Sequence, residues 1–310
     1  MASYYHQDHV RVPSGASIFY EVRNEGEPAM VLCDGLGCDG FAWKYLKPLL
    51  ERRHRVLHWN YRGHGQSGMP SDPTDVGVAQ ACDDLRRVLD AAKVEKAVIF
   101  GHSMGVQVAL EFQRLHPQRV VGLVLLCGSY GKPLDTFHDT TLLKRALPLM
   151  RTVVEKFPLF TARFNRLVMS TETVVELAIS LELNRALLKK DDLEPYFQHM
   201  ARMDPVVFLR TLQSLAAHTT RDHLPDIRIP TLVVGGEQDH FTPAHLSREM
   251  AELIPDATLL MVKGGSHTAP LESPEAIGHA VEVFLASLPA KQAKQAKAPR
   301  KPRRAAGAKR

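Results

Sequence analysis

The sequence predicts an α/β fold, built on a mostly parallel, doubly wound sheet with helices on both faces. Short runs rich in Val, Ile and Leu alternate with segments whose apolar residues recur at helical spacing, a rhythm typical of parallel sheets with crossover helices. The rhythm holds up to about residue 131, stops, and resumes from about 225 to 288. We therefore expect one α/β core that is interrupted by a long helical insert.

The predicted strands follow one another in a simple order. The first two form an opening hairpin, and the sixth, VVGLVLLCGS, is apolar almost throughout, as expected for a strand buried on both faces. Turn residues, mostly glycine, follow most of these runs. The eight segments are HVRVPSG, SIFYEVRNEG, AMVLCDG, RVLHWNYRGHG, KAVIFGHS, VVGLVLLCGS, IPTLVVGGEQD and ATLLMVKGGSH.

Helical patterns connect these strands and fill the insert. Between residues 132 and 224 Leu, Met and Phe recur at helical spacing and no convincing strand occurs. We therefore assign residues 1–131 and 225–288 to the core, and 132–224 to a helical cap inserted after the sixth strand. The core helices lie in FAWKYLKPLLERRH, DDLRRVLDAAK, VQVALEFQRLHP and SPEAIGHAVEVFLASL, and the adaptable candidates for lining a pocket under the cap are Met150, Met169, Met200 and Met203.

The positive charge of the chain is concentrated at its end. The net charge is +5, but residues 291–310 contribute nine Lys or Arg and no acid, so the rest of the chain carries −4. Lys, Ala and Pro without aromatic residues bury too little apolar area to offset chain entropy, which predicts a disordered tail over 289–310. The tail is interpreted as a solubilising appendage, with weak binding of a polyanion through 291–310 as the alternative.

Composition argues against several other classes of protein. The N-terminal residues lack the basic and apolar regions of a secretory signal, and no apolar run approaches the roughly 18 residues of a membrane span. Cys33, Cys38, Cys82 and Cys127 show no spacing typical of metal ligands. A reduced, cytoplasmic protein without a transmembrane segment is therefore expected.

The motif GHSMG at residues 101–105 contains the candidate nucleophile, Ser103. On its own, Gly-x-Ser-x-Gly is a weak signal, but here a strand precedes it and a helix follows it. That context predicts a tight strand-to-helix turn which raises the serine hydroxyl above the sheet. A serine hydroxyl needs a neighbouring base before it can attack, so a histidine and an orienting carboxylate are expected further along the chain.

Both partners occur in the expected order. Asp239 follows the strand in TLVVGGEQDHFTP, and His267 follows the strand in LLMVKGGSHTAPLESPE. Loops after parallel strands meet at one edge of the sheet, where active sites form. Glu237 competes with Asp239 as the acid, and the spacing to FTP favours Asp239. His102 and His64 are interpreted as structural.

The chain resembles the α/β-hydrolase superfamily over roughly residues 8 to 288, in its serine-nucleophile, cap-bearing branch of esterases, lactonases and perhydrolases. The resemblance rests on CDGLG, NYRGHGQS, GHSMG, GGEQDHFTP and GGSHTAPLESPE. It implies that Ser103 is the nucleophile, Asp239 the orienting acid and His267 the general base. It also implies an oxyanion hole formed by the backbone N–H groups of Leu36 and Met104.

Two positions depart from the pattern of the family. Asp34 stands where many relatives have histidine, and an anion there would oppose the developing oxyanion. We therefore predict that its carboxylate points away from the hole and bonds to loop backbone. Asn60 stands where relatives often have Asp, a structural position that leaves the catalytic assignment intact.

These features predict a serine hydrolase of carboxylic esters or lactones that carry an apolar acyl or aromatic portion. The chemistry requires no metal and no organic cofactor. Alternatives that use the same triad are a carbon–carbon bond hydrolase, an acyltransferase and a cofactor-free haloperoxidase or perhydrolase. An alternative of another class is a non-catalytic small-molecule receptor or signalling partner.

Overall fold

Eight strands form one sheet in the computed structural model of the chain, which describes residues 4–135, 142–171, 176 and 190–297. Their order across the sheet is β1-β2-β4-β3-β5-β6-β7-β8. β2 pairs antiparallel with β1 and with β4, and all other neighbours are parallel, which confirms the predicted sheet. The strands are β1 Tyr5–Arg11, β2 Ser17–Arg23, β3 Ala29–Cys33, β4 Val56–Trp59, β5 Ala97–His102, β6 Val120–Leu126, β7 Thr231–Gly236 and β8 Ala257–Val262.

Helices cover both faces of the sheet because its central strands present apolar side chains in both directions. In β5, Ile99 packs on one side in a cluster with the helices Val78–Ala91 and Met104–Leu115, whereas Phe100 packs on the other side with the helices Leu46–Glu51 and Pro274–Lys297. The α-helices are α1 Leu46–Glu51, α2 Val78–Ala91, α3 Met104–Leu115, α4 Leu142–Lys156, α5 Pro158–Met169, α6 Lys190–Arg202, α7 Pro205–Ala217, α8 Ala244–Leu253, α9 Ala269–Glu272 and α10 Pro274–Lys297.

The four helices α4 to α7 lie between β6 and β7, within the predicted insert. α7 begins at Pro205, where the Asp204 side chain accepts hydrogen bonds from the first free N–H groups of the helix. The buried Asp192 carboxylate on α6 accepts from Lys44 at 2.6 Å and from Tyr45 at 2.9 Å, which ties the insert to the core. Residues 136–141, 172–175 and 177–189 of the insert lie outside the described residues.

Two elements differ from the sequence expectation. The segment FAWKYLKPLLERRH forms a short 3-10 turn at Phe41–Trp43 followed by α1, rather than one continuous helix. The closing helix α10 continues to Lys297, although the sequence predicts disorder from 289 onward. Ala, Lys and Gln, which make up 290–297, are all strong helix formers, so the helix can extend into the tail. Residues 298–310 lie outside the described residues.

Candidate active site

Ser103 lies at the sharp turn between β5 and α3, as the sequence predicts. Its backbone has a φ of 55° and a ψ of −115°, a conformation that non-glycine residues rarely adopt. Backbone strain of this kind persists only where the surrounding structure fixes it, and it is concentrated at functional sites. The turn positions the Ser103 hydroxyl at the carboxyl edge of the sheet, ahead of the first turn of α3.

The two motif glycines are required by close backbone contacts at this turn. A Cβ on Gly101 would lie 2.3 Å from the carbonyl oxygen of Gly105. A Cβ on Gly105 would lie 2.0 Å from the carbonyl oxygen of Cys33 at the end of β3. Neither obstacle is a flexible side chain, so only glycine allows β5, α3 and the loop after β3 to approach so closely.

The structure brings together Ser103, His267 and Asp239 from the loops after β5, β8 and β7. The distance from His267 Nε2 to Ser103 Oγ is 2.9 Å, and His267 Nδ1 lies 3.0 Å from Asp239 Oδ2. Because an ionised carboxylate only accepts hydrogen bonds, Asp239 selects the tautomer in which Nδ1 carries the proton. Nε2 is then left as an acceptor directed at the serine hydroxyl.

Further hydrogen bonds hold Asp239 in its charged form. Its carboxylate accepts from the backbone N–H groups of Phe241 and Thr242, and from the Thr242 hydroxyl at 2.8 Å. Burial by itself would raise the pKa of Asp239, but the His267 ring and the Thr242 hydrogen bonds lower it below its ordinary value. The Phe241 ring stacks on His267 with 4.9 Å between centroids. Neither Phe241 nor Thr242 was predicted as a site residue, although both follow Asp239 in the segment TLVVGGEQDHFTP.

A buried carboxylate, Glu272, fixes the loop that carries His267. Glu272 Oε2 accepts the backbone N–H of Ser266 at 2.7 Å, and its Oε1 accepts the Ser266 and Thr268 hydroxyl groups. These contacts flank His267 on both sides along the chain. Sequence reasoning missed this role, because the segment SHTAPLESPE gives no indication of which side chain turns inward.

His102 supports the same loop from the opposite side. Its Nε2–H donates to the backbone carbonyl of His267 at 3.1 Å, and its Nδ1 has no partner among the described residues. Burial, reinforced by the nearby His267, lowers the pKa of His102 to about 4, so it is neutral at physiological pH. The structure therefore gives His102 a structural contact, in agreement with the sequence interpretation.

Of the other predicted site residues, Met104 and Leu36 lie at the same cavity as Ser103, whereas Glu237 makes a different contact. Met104 is the first residue of α3, so its backbone N–H has no acceptor within the helix. Leu36 lies in the loop after β3, and both residues line the same cavity as Ser103. Glu237 accepts the backbone N–H of Gly264, so Asp239 is the acid that contacts His267.

The expectation for Asp34 needs correction. Its carboxylate is fully buried and bonds to side chains rather than to loop backbone: Oδ1 accepts from Trp43 Nε1 at 2.7 Å, and Oδ2 lies 2.8 Å from His58 Nε2. β3 and β4 are parallel neighbours with Leu32 opposite His58, which brings His58 to the loop after β3. Burial by itself would lower the pKa of His58, but the carboxylates of Asp34 and Glu21 raise it to about 9. The Asp34 charge is therefore compensated by a protonated histidine.

A cavity of about 410 Å³ opens above the Ser103 hydroxyl. Its walls come from the core loops and from the insert, which contributes Met150, Met169, Leu193, Tyr196 and Phe208 among others. Met200 and Met203, also named as candidates, pack instead in a buried cluster with Val76 and Val207. The described residues that line the cavity include no Asp, Glu, Lys or Arg. The cavity therefore suits a neutral, largely apolar ligand.

The four cysteine thiols are not activated as nucleophiles, because burial disfavours the thiolate form. Cys33, Cys38, Cys82 and Cys127 are unpaired and buried, and burial raises the pKa of each thiol, that of Cys33 to about 12. In the described ranges, no group of three or more His, Cys, Asp or Glu side chains is arranged to hold a metal ion. No helix there is both long enough and apolar enough to cross a membrane.

The sequence model for the α/β hydrolase fold matches residues 28–274 of the chain. The chain belongs to this family. A protein of Azorhizobium caulinodans named carbamate hydrolase RutD is 27% identical over 279 residues, which span 88% of this chain and 96% of that protein. The family match and this relative confirm the predicted fold and the prediction that the chain is an enzyme. They identify the chain as a hydrolase.

Solved structures of this family have the same fold. An esterase from Exiguobacterium antarcticum has a TM-score of 0.74 at 19% identity, and the aligned region covers 91% of this chain and 100% of that protein. The enol-lactonase from Burkholderia xenovorans has a TM-score of 0.68 at 23% identity, covering 90% of this chain and 99% of that one. At sequence identities this low, the similarity to these structures shows a shared fold and nothing about the substrate.

Proposed function

We propose that this α/β hydrolase cleaves carboxylic esters or lactones with an apolar acyl or aromatic portion, using Ser103, His267 and Asp239 as a catalytic triad. The observation that carries the proposal is the contact of 2.9 Å between His267 Nε2 and Ser103 Oγ. A general base must lie within hydrogen-bond reach of the proton that it removes, and this distance meets that requirement.

The reaction follows from the positions of these groups. His267 Nε2 takes the proton of Ser103 as Oγ attacks the substrate carbonyl carbon, and the Asp239 carboxylate stabilises the resulting imidazolium. The backbone N–H groups of Met104 and Leu36 donate to the oxyanion; removal of one such donor costs about 3 kcal/mol in enzymes where it has been measured. His267 then protonates the leaving alcohol. Water activated by the same ring releases the acid and restores Ser103.

The cavity supports the proposed substrate class. Its volume of about 410 Å³ and its lining by apolar side chains favour a neutral acyl chain or an aromatic ring over a charged group. The helices of the insert, residues 132–224, form much of this lining and are proposed to act as the cap over the site. Carbamate esters are the second substrate class to examine, because the name of one relative assigns it to the carbamate hydrolases and the same nucleophile attacks both carbonyl types.

The test is hydrolysis of p-nitrophenyl esters from acetate to laurate by the wild type, by Ser103→Ala and by Ser247→Ala. Ser247 is a buried serine on α8 that does not line the cavity, so it controls for the substitution itself. We expect turnover in the wild type and in Ser247→Ala, and its loss in Ser103→Ala. An absence of turnover on every ester, with Ser103 also unreactive to a fluorophosphonate, would refute the proposal.

A further inference from the structure

The helices α4 and α5 expose an unusual concentration of large apolar side chains. Of the thirteen large apolar side chains that are exposed in the described ranges, eight lie between residues 149 and 167. We call these eight the α4–α5 face. Its members are Leu149, Met150, Val153, Phe157, Leu159, Phe160, Phe164 and Leu167.

α5 shows most clearly that this face is not part of the core. The helix has no buried residue, and Leu159, Phe160 and Leu167 are 78%, 68% and 69% exposed. Phe157, Phe160, Phe164 and Leu167 recur at intervals of three and four residues, so they share one side of the helix. Exposed apolar side chains that share one side of a surface helix are typical of a binding surface.

The charges around the face are positive. Between residues 156 and 171 the chain contains Lys156, Arg163 and Arg166 and no acid, and all three cations are exposed. One acid flanks this stretch on each side along the chain, Glu155 and Glu172, and Glu155 forms ion pairs with Arg151 and Arg210. Lys156 Nζ lies 5.8 Å from the centre of the Phe157 ring, so cationic and apolar groups are interleaved.

We propose that the α4–α5 face docks on an anionic lipid surface. An interfacial helix buries apolar side chains among the acyl chains while its Lys and Arg side chains stay at the level of the anionic headgroups. The composition of α5 and the residues beside it matches this arrangement. A second copy of the chain fits less well, because two such faces would bring six like charges together in one interface.

The position of the face gives the docking a consequence for the site. Met150 on α4 and Met169 on α5 line the cavity above Ser103, and Met150 is itself exposed. The same two helices thus form a wall of the cavity and the proposed lipid-binding surface. A docked molecule would bring the wall of the cavity that contains Met150 next to the lipid, so that an apolar ligand would have a short path from the lipid to Ser103.

The experiment uses the full chain and sedimentation with sucrose-loaded vesicles of phosphatidylglycerol or of phosphatidylcholine. The test variant combines Phe160→Ser, Phe164→Ser and Leu167→Ser, which lie on one side of α5. The control combines Leu115→Ser and Val283→Ser, which remove exposed apolar side chains from α3 and α10. Circular dichroism and thermal unfolding verify that both variants fold. Because vesicle binding is measured without substrate, it stands or falls separately from the proposed hydrolysis, and Ser103→Ala should bind vesicles like the wild type.

We expect the wild type and the control to sediment with phosphatidylglycerol vesicles, and the triple variant to bind about tenfold less. Binding to phosphatidylcholine should be weaker, and an Arg163→Gln, Arg166→Gln variant should lose most of the difference between the two lipids. Undiminished binding of the triple variant would assign lipid binding to the basic tail and overturn the proposal. Equal binding to both lipids, or no binding by the wild type, would also overturn it. So would a dimer in lipid-free sedimentation that the triple variant dissociates.

Discussion

Asp34 and His58 form a buried ion pair, with 2.8 Å between the carboxylate Oδ2 and the imidazole Nε2. The pair lies directly behind the loop that carries Leu36, at the ends of two neighbouring parallel strands. Glu21 approaches the other ring nitrogen of His58 at 3.6 Å and also pairs with Lys47. A chain of alternating charges therefore supports the loop from within the core.

The His58 pair predicts a pH dependence of stability. The pKa of His58 in the folded protein, about 9, exceeds its ordinary value of 6.5, so folding favours the protonated ring. This contribution is complete below pH 6.5 and is lost as the pH rises through 9. We expect the free energy of unfolding to fall by about 2–3 kcal/mol over that interval, measured by urea denaturation.

A His58→Gln variant serves as the reference for this fall. It retains the four buried cysteines, whose raised thiol pKa values also favour unfolding at alkaline pH. The difference between the two proteins then isolates the histidine. An equal decline in both would show that His58 is not charged in the folded protein.

Asp34→Asn tests the orientation of the carboxylate near the proposed oxyanion hole. The substitution leaves protonated His58 without its closest buried partner, so we expect a loss of about 3 kcal/mol in unfolding free energy. Because the carboxylate is already compensated by His58, ester hydrolysis should not increase. A strong rise in kcat for p-nitrophenyl acetate would instead mean that the Asp34 charge opposes the oxyanion.

Asp239→Asn should remove the group that selects the His267 tautomer. An amide can donate to Nδ1 and so leave the proton on Nε2, which then cannot accept from Ser103. We expect kcat for p-nitrophenyl esters to fall by about 10⁴-fold, the loss found for the equivalent change in a serine protease. Glu237→Gln is the matched control, two residues away on the same loop, and should retain wild-type kcat. A large loss of kcat in Glu237→Gln, with little loss of kcat in Asp239→Asn, would mean that Glu237 rather than Asp239 is the orienting acid.

Glu272→Gln should loosen the loop that carries His267. Its carboxylate accepts from one N–H and two hydroxyl groups, and the amide presents hydrogens to part of this set. We expect about 2 kcal/mol lower stability and about tenfold lower kcat, with KM little changed. Glu275→Gln, an exposed change three residues further along, should affect neither quantity. A KM effect without a kcat effect would contradict a role in positioning His267.

Gly105→Ala should prevent normal folding of the turn between β5 and α3, because the new Cβ would lie 2.0 Å from the Cys33 carbonyl oxygen. We expect destabilisation of more than about 4 kcal/mol, seen as insoluble protein or a greatly lowered Tm. Gly122→Ala on β6 is the comparison, since the nearest atom to its Cβ would belong to the movable Leu288 side chain at 3.2 Å, and no backbone atom lies among its close neighbours. Similar Tm values for the two variants would argue against the backbone contact.

The strands and the order of the candidate triad could be predicted because both depend on local pattern. The apolar run of β6 and the glycines around Ser103 are visible in the sequence without knowledge of neighbours. The Asp34–His58 pair could not be predicted, because it depends on which strands lie side by side and on their register. The extension of α10 to Lys297 was missed for a different reason. The prediction of disorder rested on the lack of apolar residues in the tail, whereas the local helix propensity of Ala, Lys and Gln favours a helix there.

The wide separation of Ser103 and His267 along the chain has a consequence for biosynthesis. His267, the proposed base, follows Ser103 by 164 residues and comes after β8. A ribosome-bound chain therefore contains Ser103 without His267 until all of β8 and the first part of the following loop have emerged. Reactivity of Ser103 toward an active-site label would then indicate that β8 has joined the sheet. The labelling reaction could therefore be used to follow the final stage of folding.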